Sequence, residues 1–326
     1  MSGAIDLAAL GKVLRASAGL AAKGDIAEAT SRLGLSATSA TPVGDDCAAI
    51  PDGEGWQLLA IEGFMNEFVA RDPWFAGWCG VMVNLSDVAA MGGRPLAVVD
   101  ALWADGDDSA RAVMDGMRAA SERYGVPIVG GHTNLRTDRA QLSVAILGRA
   151  RRLLTSFDAR PGDRLVAAID LRGRYREPFA NFEAATEAPG ERLRGDLELL
   201  PRIAESGLAK AAKDISQAGI VGTAAMFAEC SKVAITLDVG AVPKPDGVSL
   251  ERWLLTFPSY GYLLSVPPAN VAAVLGIFAE RGIAASDIGS VSAGHAVSIT
   301  DGEGQELIRD LGARPLILPP ALGAAA

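Results

Sequence analysis

Four short segments, Gly44-Asp45-Asp46, Asn84-Leu85-Ser86-Asp87, Gly130-Gly131-His132-Thr133 and Asp214-Ile215-Ser216, each set a carboxylate or a single histidine against a turn or a glycine. Between them run short apolar stretches and longer helical ones. A chain with this punctuation places its acids at strand ends and helix starts, so the expected class is α/β, or α+β, with alternating elements.

The alternation can be followed along the chain. Leu7, Leu10 and Leu14, then Ile26, Ala29 and Leu33, recur at helical spacing, broken at Gly24-Asp25 and stopped at Gly34. Trp56–Ile61 and Leu96–Trp103 read as strands around an Ala- and Val-rich helix at 75–92. A helix from Ser109, its expected cap, to Tyr124 closes at Gly125, and Val126–Val129 is expected as a buried strand before Gly130-Gly131. The Arg160-Pro161-Gly162-Asp163 turn opens a second series beginning with the strand Arg164–Ile169. The division is therefore expected at 154/155, giving domains 1–154 and 155–326. Residues 172–194, charged and weakly periodic, are expected to form a mobile loop or lid.

Composition narrows the function. Thirty Lys and Arg against 39 Asp and Glu leave a net charge of −9, which disfavours nucleic acid as the main partner. No apolar run approaches the ~18 residues of a membrane span, and no secretory leader pattern opens the chain, so no membrane association and a cytoplasmic location are expected. The three cysteines, Cys47, Cys79 and Cys230, are too widely spaced for a CxxC metal site. Arg149, Arg151 and Arg152 could meet an anionic substrate, although a solvated charged face explains them as well.

Acids beside glycines suit a phosphate and divalent-metal site. Mg²⁺ takes a few carboxylate oxygens together with water and phosphate oxygens, and glycine lets backbone N–H groups approach a polyanion. Asp45 and Asp46 repel one another unless a metal or a basic neighbour relieves them. The same three residues also make an ordinary solvated turn.

The string Val83-Asn84-Leu85-Ser86-Asp87-Val88-Ala89-Ala90-Met91-Gly92-Gly93-Arg94-Pro95 resembles the signature of the AIR synthase superfamily. That superfamily includes thiamine-monophosphate kinase, selenophosphate synthetase and the formylglycinamidine ribonucleotide synthetases. Gly44-Asp45-Asp46-Cys47-Ala48 is similar to the kinase's Gly-Asp-Asp-Ala element, and Gly130-Gly131-His132-Thr133 to the selenophosphate synthetase form of the Gly-Gly-acid-Thr element. Asp214-Ile215-Ser216-Gln217-Ala218-Gly219-Ile220 is similar to the family's Asp-Ile-Ser block, and Ala159–Asp163 to the usual opening of its C-terminal domain.

The resemblance implies a two-domain AIR-synthase-like fold, its N-terminal domain building a β-barrel with a symmetry mate and its C-terminal α/β domain flanking it. It further implies a homodimeric ATP- and Mg²⁺-dependent enzyme that phosphorylates or activates a small metabolite. Carried over by position, Asp45, Asp46, Asp87 and Glu62 would hold the metal. Gly44, Asn84, Gly130, Gly131 and Thr133 would meet the nucleotide, and Asp214 and His132 would serve catalysis. Glu62 stands where the kinase has Asp, His132 where it has an acid, and Gln217-Ala218 where it has Asp-Gly, which weakens thiamine phosphate as the acceptor. Two alternatives stay open, a thiamine-monophosphate kinase-like activity and a non-catalytic nucleotide-binding subunit.

Overall fold

The computed structural model describes residues 5–35 and 41–318. Helices α1 (Leu7–Arg15), α2 (Ala18–Ala22) and α3 (Gly24–Leu33) come first. They are followed by β1 (Ala48–Asp52), β2 (Gly55–Phe64), α4 (Asn66–Arg71), α5 (Pro73–Ala90), β3 (Arg94–Asp105), α6 (Asp107–Tyr124), β4 (Ile128–Asn134) and β5 (Arg136–Ala150). Next come β6 (Arg164–Ile169), β7 (Arg174–Tyr175), β8 (Asn181–Glu183), α7 (Gly190–Leu197), α8 (Leu199–Glu205), β9 (Ala211–Asp214) and α9 (Gly219–Ser231). The chain finishes with β10 (Ala234–Asp238), α10 (Leu250–Leu254), β11 (Phe257–Pro258), β12 (Gly261–Val266), α11 (Val271–Ala279), β13 (Ala284–Ser292), β14 (Ala296–Thr300) and β15 (Gln305–Asp310).

These elements form two compact units, neither of them a single stretch of sequence. The first is Asp46–Leu153 with Ala185–Ser206; the second is the chain up to Asp45, Leu154–Ala184, and the chain from Gly207 onward. Two groups of helices therefore lie across the 154/155 division from the unit in which they pack. Leu10, Leu14 and Leu20 of the opening helices join the core of the second unit. Helices α7 and α8 are tied into the first unit, where Arg94 pairs with Glu198 (2.9 Å) and Glu205 (2.7 Å) and Arg123 donates to the Ala188 carbonyl (2.5 Å).

In the first unit an open five-stranded sheet runs β1-β2-β5-β3-β4, with β3 and β4 parallel and the other pairs antiparallel. Helix α5 covers one face. Asp72 caps it by accepting from the Phe75 amide, and Pro73 sits at its first turn, where no donor is lost. Its end is a Schellman pattern: Gly93 N–H donates to the Val88 carbonyl (2.9 Å), and Gly92 takes φ +71°, which an L side chain resists. Helix α6 begins at Asp107 without a side-chain cap, so Ser109 lies inside it instead of capping it.

The opposite face of this sheet is apolar and uncovered: Ile61 is 68 % exposed and Val129 62 %. The expected buried strand at 126–129 is thus an edge strand. The Gly130-Gly131-His132-Thr133 segment lies inside β4, not in a turn after it.

In the second unit a seven-stranded sheet runs β15-β14-β10-β13-β6-β12-β9, with Leu165–Ile169 of β6 and all of β12 buried. Part of the 172–194 stretch, as β7 and β8, joins β11 in a small sheet, β11-β8-β7. Far from being a loose lid, it is pinned by Phe182, 3 % exposed, whose ring stands edge-on to Trp253 at 5.1 Å. Periodicity could not show this, because one aromatic anchor at a two- to three-residue strand has no repeat to detect.

Candidate functional site

The Gly44-Asp45 turn and the Asp214-Ile215-Ser216 motif both lie in the second unit. Gly44 (φ +126°) turns the chain so closely against α9 that a Cβ there would lie 2.6 Å from Cys230 Sγ. The next residue, Asp45, accepts a 2.7 Å hydrogen bond from the Ser156 amide through Oδ1. Lys213, on β9 immediately before Asp214, reaches the same turn. Its Nζ donates to the Gly44 carbonyl (3.2 Å) and to Ser156 Oγ (3.4 Å). Lys213 and Asp214 are 4 % and 6 % exposed, and strand alternation sends their side chains to opposite faces of β9. Two residues on, the buried Ser216 Oγ has no hydrogen-bond partner.

The remaining candidates lie in the first unit. The pairing register sets Glu62, Val144, Asp100 and Gly131 in one row across the sheet. Val144 is fully buried, so this row is on the α5 side. One residue along, Gly63, Ser143, Ala101 and His132 make a row on the open side, where the His132 ring lies 6.1 Å from the Trp103 ring. Gly131 and His132 are adjacent in the motif, yet a strand's two-residue period sends them to opposite faces. His132 is therefore on the face opposite Glu62, and Thr133 returns to the Glu62 side. Asp46 is half-buried just before β1.

On α5, Asn84 and Asp87 stand three residues apart on one helical face, both buried (0 % and 6 %). Asn84 Nδ2 donates to the Gly80 carbonyl (2.8 Å), while its Oδ1 is buried without a donor. An orphaned amide oxygen beside a carboxylate offers hard oxygen ligands or acceptors for a ligand N–H. Among the described residues, no group of three or more His, Cys, Asp or Glu side chains is assembled to hold a metal ion.

Two residues escaped the reading of the sequence. Asp100 interrupts the apolar run Val98–Leu102, and its carboxylate lies over Gly131 so closely that a Cβ there would clash with it. Burial holds this carboxyl above the usual carboxylate range, partly offset by a hydrogen bond from its own backbone. Lys213 likewise sits in a buried strand, Ala211–Asp214. A charged residue inside an apolar strand was the available signal in both cases.

Open sheets, a glycine-bounded α5 and acids gathered at the Gly44 and α5 motifs define a protein of the AIR synthase class. Residues 44–150 match the AIR synthase related protein N-terminal domain and residues 176–302 its C-terminal domain; the chain belongs to this family. An uncharacterised protein of Synechocystis is 49 % identical over 276 residues, covering 84 % of this chain and 85 % of that protein. The thiamine-monophosphate kinase of Pyrococcus abyssi is 29 % identical over 286 residues, covering 83 % of this chain and 89 % of the kinase.

The fold matches that of Thermotoga maritima PurL complexed with ATP, with a TM-score of 0.70, 19 % identity and coverage of 84 % of this chain. This chain spans about half (46 %) of that PurL chain. AaThiL complexed with AMPPCP and TMP matches with a TM-score of 0.65 and 22 % identity, covering 92 % of this chain and 96 % of that one. Among the described residues no helix is long and apolar enough to cross a membrane.

Proposed function

We propose that this protein binds ATP with Mg²⁺ and transfers its terminal phosphoryl group to, or thereby activates, a small metabolite, acting as a homodimer in the cytoplasm. The observation that carries the reading is the buried, donorless Asn84 Oδ1 on the same helical face as Asp87, in a family whose named members include a kinase and whose structural neighbours were solved with ATP or AMPPCP. Asp45, Asp46, Glu62 and Asp87 are the carboxylates from which the metal's ligands would be drawn, and Asn84 Oδ1 is assigned to the nucleotide. Mg²⁺ is ordinarily held by one or two carboxylates plus phosphate oxygens and water. Bound in this way it would neutralise phosphate charge during transfer.

Gly44, Gly130, Gly131 and Thr133 are assigned to the nucleotide, Asp214 to orienting the reacting groups, and His132, on the open face, to the acceptor. Catalysis in this scheme is positioning and charge neutralisation, with no covalent intermediate on the protein.

Calorimetric titration with ATP, with and without Mg²⁺, alongside ADP release over a panel of small phosphate acceptors including thiamine monophosphate, tests the reading. Mg²⁺-dependent binding that Asp87→Asn removes, with ADP release on one acceptor, is the expected result. Mg²⁺-independent binding, or binding that Asp87→Asn leaves unchanged, would reject the metal assignment. Binding without ADP release on any acceptor would favour the non-catalytic alternative.

A further inference from the structure

We propose that Asp100 is a specificity residue of the nucleotide site, a carboxylate set over Gly131 to receive the vicinal hydroxyls of a ribose. This rests on the nucleotide reading of the Gly130-Gly131 segment above and names the part of the nucleotide that lies there.

Gly131 has no positive φ to require glycine; space requires it. A Cβ at 131 would lie 2.3 Å from Asp100 Oδ1 and 2.8 Å from Asp100 Cγ. The Asp100 side chain, rooted on β3, therefore leans across the parallel pairing and fills the place a side chain of the edge strand β4 would take. Both residues belong to the row on the α5 side of the sheet, where Gly131 is exposed and Asp100 half-buried. The carboxylate is thus held at an open sheet edge, partly withdrawn from water yet within reach of a ligand.

The hydrogen bond that Asp100 accepts comes from its own backbone, and no cation of the described residues offsets its charge. Withdrawing an acid from water without donors costs stability, and a group of this kind beside the glycines of a ligand motif suits a site where the ligand supplies the donors. Glu62 lies in the same row on β2, three strand spacings, or about 14 Å, from Gly131. Two oxygens on one Mg²⁺ are at most about 4.2 Å apart, and a glutamate side chain spans well under half of that gap. Asp100, leaning away from Glu62, therefore serves a different part of the ligand from a metal held at Glu62.

The chemistry of the nucleotide selects which part that is. An ionised carboxylate only accepts hydrogen bonds. The phosphates bring more negative charge and repel it. The adenine edge sets its amino donor beside an acceptor nitrogen, so a carboxylate meets one group favourably and the other unfavourably. A ribose diol presents two O–H donors side by side, matching the two carboxylate oxygens, and an acid on the ribose hydroxyl is how dinucleotide-binding sheets read the same group.

Calorimetric titration of the full chain with ATP and with 2′,3′-dideoxyATP, both with Mg²⁺, tests the assignment. Wild type should bind ATP at least about tenfold more tightly than the dideoxy analogue, the lower end of the worth of a hydrogen bond to a charged group. Asp100→Ala should lose that preference by weakening ATP while leaving the analogue's affinity within about twofold. Gly131→Ala, which drives a methyl into the carboxylate without removing its charge, should lose the preference too. Equal binding of the two nucleotides by wild type, a preference that persists in Asp100→Ala, or a loss in that variant equal for both nucleotides would each overturn the assignment and leave the nucleotide reading standing. Binding of neither nucleotide by wild type would reject that reading and the assignment with it. Should Asp100→Ala or Gly131→Ala not fold, the near-isosteric Asp100→Asn, which keeps one acceptor oxygen of the two, decides by the same comparison and should retain at most part of the preference.

Discussion

At the level of single residues, the motifs divide by strand and helix geometry more than by sequence proximity. Gly131 and His132 are neighbours in the chain, yet only Gly131 belongs to the row holding Glu62 and Asp100. With His132 on the open face, His132→Ala should lower kcat for the accepted substrate by at least about tenfold, within the range of a lost proton-transfer or orienting group, while nucleotide affinity stays the same. Unchanged kinetics would return His132 to a packing role beside Trp103. Asp100 yields a pH signature. Its folded carboxyl titrates above the ordinary value because burial disfavours the charged form, so the folded state binds the proton more tightly than the unfolded chain. The two states cost the same below the ordinary carboxylate value, and stability is lost as pH rises from there through the raised one. Asp100→Asn should therefore gain stability relative to wild type across that window and hold a constant advantage above it. Denaturation midpoints from pH 3.5 to 8 decide the point, and a difference that does not vary with pH would show Asp100 to be solvated.

At the level of elements, α5 is positioned by the residues it lacks. Where it crosses α6, a Cβ on Gly116 would overlap the Trp74 carbonyl oxygen, and one on Gly77 would overlap the Val113 carbonyl. Alanine is worth about 1 kcal/mol over glycine in a helix interior, but overpacking costs about 1–3 kcal/mol or more, and a backbone oxygen cannot rotate away. Gly116→Ala should accordingly destabilise the protein, lowering the urea midpoint at unchanged slope, and because α5 carries Asn84 and Asp87 it should weaken nucleotide binding as well. A raised midpoint would mean that the crossing has slack. The string 83–95 was readable as a helix ending in glycines because local capping chemistry writes that ending into the sequence. The helix–helix crossing was not, since the glycines that permit it, 77 and 116, are 39 residues apart and neither has an i,i+4 partner to reveal it.

At the level of the whole molecule, the first unit leaves one sheet face uncovered. Leu59, Ile61, Val99 and Leu147 are each more than a third exposed on it, and in the homodimer proposed above this is the face a second copy would cover. The sheet is open, with β1 and β4 at its edges, so a barrel would need a second copy to close it. On the proposed homodimer, wild type should scatter as a dimer and Ile61→Glu as a monomer, without a lower melting temperature for the monomer, because Ile61 is 68 % exposed in the single chain. A mass unchanged from wild type at every concentration would remove this face as the dimer interface.

The sequence alone determined the class of fold, most element positions, the strand at 164–169 to the residue, and the order of the motifs. Each of these is written in local periodicity, capping and turn chemistry, which act over a few residues. Tertiary structure alone decided that the opening helices pack with β6–β15, that Phe182 fastens a stretch read as a lid, and that β4 is an exposed edge. It alone also placed Lys213 at the Gly44-Asp45 turn, a contact between residues 169 apart in the chain. Burial and buried hydrogen bonding depend on what the rest of the chain brings near, and no local pattern encodes that.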